Sequence, residues 1–155
     1  MRKLYFAYGS NLWPEQMKER CLGHKVMGAG ILEGYRWIIS KRGYANIIKA
    51  GSDEVQGVVY LITGSDESSL DDHEGVAVGS YRKEIKPVKI DGKAYDCLVY
   101  VDPIEEEGKP RVEYIERINQ GLAASEISAT YIDRYVRKFI PYLVDKKMEG
   151  RGEAR

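Results

Sequence analysis

Along the chain, apolar positions fall into short runs separated by glycine-bearing turns, and only the last third shows helical spacing. Leu4 to Tyr8 is a near-continuous apolar run, the pattern of a buried strand. It stops on Gly9-Ser10-Asn11, poor strand formers and good turn formers. Pro14 then stands where the first turn of a helix tolerates proline, so "PEQMKERC" predicts a short polar helix. Residues 25–40 mix apolar positions with Gly28, Gly30 and Gly34, which predicts strands bent at a barrel corner. Residues 45–50 read as a short strand. Residues 54–63 are apolar on both alternating faces and predict a central strand covered on both sides.

The segment "GSDESSLDDHEG", residues 64–75, predicts a helix of about two turns. Ser65 is its expected N-cap, Asp66 and Glu67 suit its positive end, and Gly75 is its stop. Its last turn carries Asp71, Asp72, His73 and Glu74, although the carbonyl end of a helix repels negative charge. Residues 84–101 predict a β-hairpin around Asp91-Gly92, with Pro87 placing the first strand at an edge or a bulge. A polar loop follows over 102–110. Two helices are expected next, one over 111–121 ended by Gly121 and one over 128–144 opened by Ser128 and bent or stopped near Pro141. Tyr131, Ile132, Tyr135, Val136, Phe139 and Ile140 recur at helical spacing as core positions of the second. Residues 145–155 read as a charged, flexible tail on a single domain of residues 1–144. Strands first and longer helices last indicate α+β, with a small, mostly antiparallel, barrel-like sheet and flanking helices.

Composition narrows the function classes. Lys+Arg and Asp+Glu both total 24 in 155 residues, so the basic excess of a nucleic-acid or membrane-surface binder is missing. No apolar run approaches the roughly 20 residues of a membrane span, and Met1-Arg2-Lys3 before the first strand is too short for a signal peptide. Cys21 and Cys97 form no close pair in sequence, which points to a reducing, cytoplasmic setting. His24 and His73 are the only histidines and neither has a partner at metal-ligand spacing. The acidic segment lacks the pattern of a calcium loop. No zinc or calcium site is expected.

Two features remain that carry chemistry. Glu74 stands at a helix end immediately before Gly75. Pointed into an apolar pocket, its carboxyl is disfavoured in the ionised form both by desolvation and by the helix end. Its pKa then rises from about 4.3 towards neutrality, where a proton shuttle works. The Gly9–Asn11 turn is able to converge successive N–H groups on a carboxylate or a developing oxyanion. By residue type alone, a solvated glutamate and a plain turn are the commoner readings of each. A Ser10–His73 nucleophile pair is a third possibility, but "YGSNL" lacks the Gly-x-Ser-x-Gly elbow.

Taken together and in order, "YFAYGSNL", "DEVQGVVYLI", "LDDHEGV" and Tyr81 resemble the gamma-glutamylcyclotransferase family. The resemblance runs from about residue 4 to 101 and continues more faintly through "EYIERINQGLAAS". It implies the family's small mixed barrel and a cofactor-independent enzyme acting on a small γ-glutamyl substrate. It implies substrate-binding roles for Tyr8, Gly9, Ser10, Asn11 and Leu12, pocket positions for Tyr81 and Tyr114, and an acid/base role for Glu74. The implied reaction turns a γ-glutamyl amino acid or dipeptide into 5-oxoproline and a released amine. Relatives acting on γ-glutamylamines and a non-catalytic binding or scaffold domain are the alternatives, and a homodimer is implied by resemblance alone. Arg82, directly after Tyr81, either contacts substrate or pairs with a nearby acid.

Overall fold

The computed structural model describes residues 2–142. Five strands close into a barrel in the order β1-β3-β2-β4-β5. They are β1 (Lys3–Ala7), β2 (Lys25–Ile39), β3 (Ala45–Ile62), β4 (Arg82–Ile90) and β5 (Lys93–Val101). All neighbours run antiparallel except β1 and β5, which close the barrel in parallel with Tyr5 opposite Leu98. The architecture is the mixed, mostly antiparallel α+β barrel expected from the pattern.

The two strand pieces read separately at 45–50 and 54–63 are one strand. A register shift joins them: Tyr35 pairs with Lys49 and Glu33 with Glu54, so Ala50 to Asp53 stand against Gly34 alone. Such a bulge bends the β2–β3 ribbon enough to curl it round the barrel. Gly57 meets the tightest approach, since a Cβ there would stand 2.2 Å from the Ala7 carbonyl oxygen and 2.8 Å from Phe6. Only glycine lets β1 lie flush against β3 at that point. Pro87 sits opposite Asp96 of β5, away from the one register point, Ile31 with Lys89, at which β4 meets β2.

Four helical segments flank the barrel: α1 (Pro14–Arg20), α2 (Gly64–His73), α3 (Val112–Ala124) and α4 (Ala129–Tyr131). The N-cap of α2 is Thr63 rather than Ser65. Its hydroxyl accepts the Asp66 N–H at 3.0 Å, and the Asp66 carboxylate accepts the Thr63 N–H at 3.0 Å. That reciprocal pair satisfies two helix-end donors at once, which Ser65 would not do. Gly121 does not end α3. A Cβ there would stand 2.7 Å from Leu12 and 2.9 Å from the Trp13 backbone nitrogen, so this glycine is where the helix packs against the turn after β1. Ser128 caps α4 as expected, accepting the Tyr131 N–H at 3.2 Å. The helix then widens into a π turn over Ile132–Val136 instead of continuing as one α-helix. The wider turn brings Tyr131 and Val136, five residues apart, onto the same core-facing side. Ile140 is also buried, with Ile132, Tyr135 and Phe139 half-buried against the core. The tail predicted for residues 145–155 lies outside the described residues.

Candidate active site

A cavity of about 310 Å³ opens at one end of the barrel, between the turn after β1, the end of α2 and one face of α3. Tyr8, Gly9, Ser10, Asn11, Glu74, Tyr81 and Tyr114 all line it, although they come from four separate stretches of the chain. Leu12 does not. It is buried, its Cβ faces Gly121 of α3, and its N–H closes a 3-10 turn on the Gly9 carbonyl at 3.1 Å. Its contribution is packing, because the turn rotates it away from the opening.

Glu74 reaches the cavity from the C-cap of α2, with its N–H donating to the Leu70 carbonyl at 2.8 Å. Gly75 adopts φ +65° and ψ 38°, a left-handed conformation that turns the chain sharply after Glu74. A Cβ on Gly75 would meet Ser80 at 2.9 Å, so both space and backbone geometry call for glycine. The helix end is held from the sheet side. Asp71 accepts the Tyr100 hydroxyl at 2.7 Å and Lys83 Nζ at 3.1 Å, while Glu67 pairs with Lys3 at 2.9 Å and with Lys83. Those basic groups offset the negative charge that the helix end would otherwise carry alone.

Burial pushes the Glu74 carboxyl up to about 7, against the opposing pull of Arg20 and then Arg42. The residue keeps partial exposure through the mouth of the cavity. Its carboxylate accepts no hydrogen bond from any side chain or backbone group among the described residues. A carboxyl in that state is available to exchange a proton near neutral pH.

Four tyrosines surround it. Burial, reinforced by neighbouring charges including that of Glu74, raises the Tyr5, Tyr8, Tyr81 and Tyr114 phenols, Tyr114 to about 12. All four are therefore neutral hydroxyl groups at neutral pH. Tyr8 spends its proton on the Tyr100 carbonyl at 2.6 Å and Tyr81 on the Ala45 carbonyl at 2.7 Å. Tyr5 and Tyr114 instead accept, from Asn11 Nδ2 at 2.9 Å and from the Ala45 N–H at 3.2 Å. The Tyr5 proton has no acceptor among the described residues and is available to a guest, whereas the Tyr114 phenol also has the Ser10 N–H and hydroxyl as hydrogen-bond partners.

The Asn11 side chain is braced by protein. Besides donating to Tyr5, it accepts Gln16 Nε2 at 2.7 Å and Arg20 at 3.1 Å, while the Asn11 backbone carbonyl accepts the Tyr60 hydroxyl at 2.8 Å. These bonds shape the loop. The N–H groups of Gly9 and Asn11 meet no backbone acceptor among the described residues. Ser10 Oγ accepts Gln16 Nε2 at 2.6 Å and has no hydrogen bond to His73. The geometry does not support a serine nucleophile activated by that histidine.

Tyr5, Tyr44, Arg20 and Arg42 also line the cavity; Tyr5 opens the "YFAYGSNL" run without being singled out as a site residue, and the other three carry no motif of their own. Arg42 is held by the buried Asp102 at 3.0 Å and by the Ser80 carbonyl at 3.3 Å, and lies 5.0 Å over the Tyr81 ring. Arg82 is outside the cavity, paired with Glu84 on the same strand. Among the described residues, no three His, Cys, Asp or Glu side chains group as metal ligands.

Residues 5–117 match the family described as gamma-glutamyl cyclotransferase, AIG2-like. The gamma-glutamylcyclotransferases of Mus musculus and Homo sapiens are 33% and 30% identical over 142 residues, covering 84% of this chain and 76% of each of those proteins. A solved structure of a gamma-glutamyl cyclotransferase superposes with a TM-score of 0.82 at 25% identity, covering both chains completely.

Proposed function

The chain belongs to the gamma-glutamyl cyclotransferase, AIG2-like family, and from that premise we propose that it closes the γ-glutamyl group of a γ-glutamyl amino acid or dipeptide to 5-oxoproline. The observation that carries the proposal is the Glu74 carboxyl, desolvated, unbonded and pushed to about 7, among neutral phenols and beside free loop N–H groups.

The substrate α-amine attacks its own γ-carbonyl carbon, forming the ring C–N bond. Glu74 takes the proton that the amine loses and returns it to the departing nitrogen as the original amide bond breaks. One carboxyl serves both transfers because its pKa lies near neutrality. The N–H groups of Gly9 and Asn11 and the free phenol of Tyr5 supply donors for two anions, the substrate α-carboxylate and the tetrahedral oxyanion. Holding the chain folded contributes proximity, worth about 7–11 kcal/mol in well-oriented intramolecular reactions. None of these steps requires a cofactor. Buried, unpaired Cys21 and Cys97 support a reducing compartment for such an enzyme.

The test is 5-oxoproline formation from a panel of γ-glutamyl dipeptides and γ-glutamyl-lysine, run beside Glu74→Gln. The substitution keeps size and removes the ionisable group, and is expected to lower the rate about 100-fold or more. Turnover that survives it would overturn the role given to Glu74.

A further inference from the structure

A second hollow of about 340 Å³ adjoins the catalytic cavity. Arg20, His73 and Arg117 line both, so the two spaces meet at a rim carrying two guanidinium groups. The packing of α3 explains the juxtaposition. Gly121 brings the helix onto Leu12 and Trp13, just before α1, whose last residue is Arg20. Arg117 follows Tyr114 by three residues and so projects beside it from the same face of α3.

The two arginines differ from Arg42. That group is paired with buried Asp102, whereas among the described residues the hydrogen-bond partner of Arg20 is the neutral Asn11 amide oxygen at 3.1 Å, and its charge faces Glu74. Arg117 has no hydrogen bond or ion pair among the described residues, and it is absent from the charges that act on Glu74. Its charge therefore serves neither a structural carboxylate nor the catalytic one. Of the acids at the outer hollow, Glu15 pairs with Lys18 at 3.3 Å, and Glu19 is exposed. Burial and then Arg20 lower the His73 pKa, favouring its neutral form, against the opposing pull of Asp72.

We infer that the rim formed by Arg20 and Arg117 is the leaving-group subsite, and that it holds the carboxylate of the amino acid or dipeptide released from the γ-glutamyl group. This rests on the cyclotransferase reading above and makes it specific: the enzyme selects γ-glutamyl peptides with an anionic end over γ-glutamylamines. A guanidinium is suited to the task because its planar fork matches both carboxylate oxygens. With the γ-carbonyl at Glu74, the scissile nitrogen points outward to this rim, and the leaving residue extends into the outer hollow.

The experiment compares γ-glutamyl-alanine, γ-glutamyl-alaninamide and γ-glutamyl-putrescine, which end in a carboxylate, a neutral amide and an ammonium. The intact chain is expected to favour the acid over the amide about tenfold in kcat/KM, with the ammonium slowest. Arg117→Gln is expected to remove that preference through KM, leaving turnover of the amide within about twofold, and Arg117→Lys to restore part of it. Equal use of acid and amide by the unaltered enzyme would overturn the subsite while leaving the cyclotransferase reading intact. So would preference for the ammonium, or an equal loss on acid and amide in Arg117→Gln. Absence of 5-oxoproline from all three would overturn the cyclotransferase reading, and the subsite with it.

Discussion

The Tyr100 hydroxyl donates to Asp71 Oδ1 at 2.7 Å, fastening the last turn of α2 to β5 one helical turn before Glu74. Tyr100 is buried, so removing its acceptor leaves an unsatisfied phenol at a cost of about 1–3 kcal/mol. Asp71→Ala is expected to lose that stability and to lower kcat while leaving KM nearly unchanged, because Asp71 positions the carboxyl without lining the cavity. Asp71→Asn keeps an acceptor for Tyr100 and loses only the charge facing Lys83, so it is expected to recover most of kcat. Denaturation and steady-state kinetics on the pair measure both effects.

Glu74 is stored at a cost. Its folded pKa of about 7 lies above the unfolded value, so the folded state binds the proton more tightly. Its contribution therefore becomes less favourable as pH rises from about 4.5 to 7, by up to about 3 kcal/mol in total. Glu74→Gln is expected to be more stable than the unaltered protein at pH 8 and nearly equal to it at pH 4.5. Thermal unfolding at the two pH values tests the sign, and equal stability at pH 8 would show that the carboxyl is well solvated.

The same ionisation should govern rate. If Glu74 must be ionised to accept the amine proton, kcat/KM rises with pH through an apparent pKa of about 7. Arg20 is the larger of the two charges that lower this value, so Arg20→Gln is expected to move the acidic limb to higher pH and Arg20→Lys to leave it nearly in place. A limb that ignores the charge at position 20 would belong to another group.

Gly75 tests the backbone that aims the carboxyl. Alanine at its left-handed φ of +65° costs about 1–2 kcal/mol, and the added Cβ meets Ser80 at 2.9 Å. Gly75→Ala is expected to lower stability by at least that amount and kcat about tenfold, since a displaced general base loses its alignment. Alanine at Gly79, also left-handed but with open space around it, is expected to cost backbone strain alone and to spare kcat.

Local chemistry was enough to read several of these elements. The strand stopping on Gly-Ser-Asn, the Asp91-Gly92 hairpin, the acidic helix ending at Glu74-Gly75 and the α+β order all follow from period, turn chemistry and helix-end preference. The likeness of the motifs to a known family then brought Tyr81 and Tyr114 towards the same site. Other features depended on neighbours distant in sequence. Thr63 displaced Ser65 as cap because Asp66 was placed to return the hydrogen bond, and α3 ran through Gly121 because that glycine meets Leu12. The Asn11 side chain braces the loop because Tyr5, Gln16 and Arg20 surround it. The free phenol of Tyr5 and the guanidinium of Arg117, unpaired among the described residues, have no local signature. What sets them apart is which partners they lack, and a hydrogen bond or ion pair between segments exists only once the barrel has closed and brought those segments together.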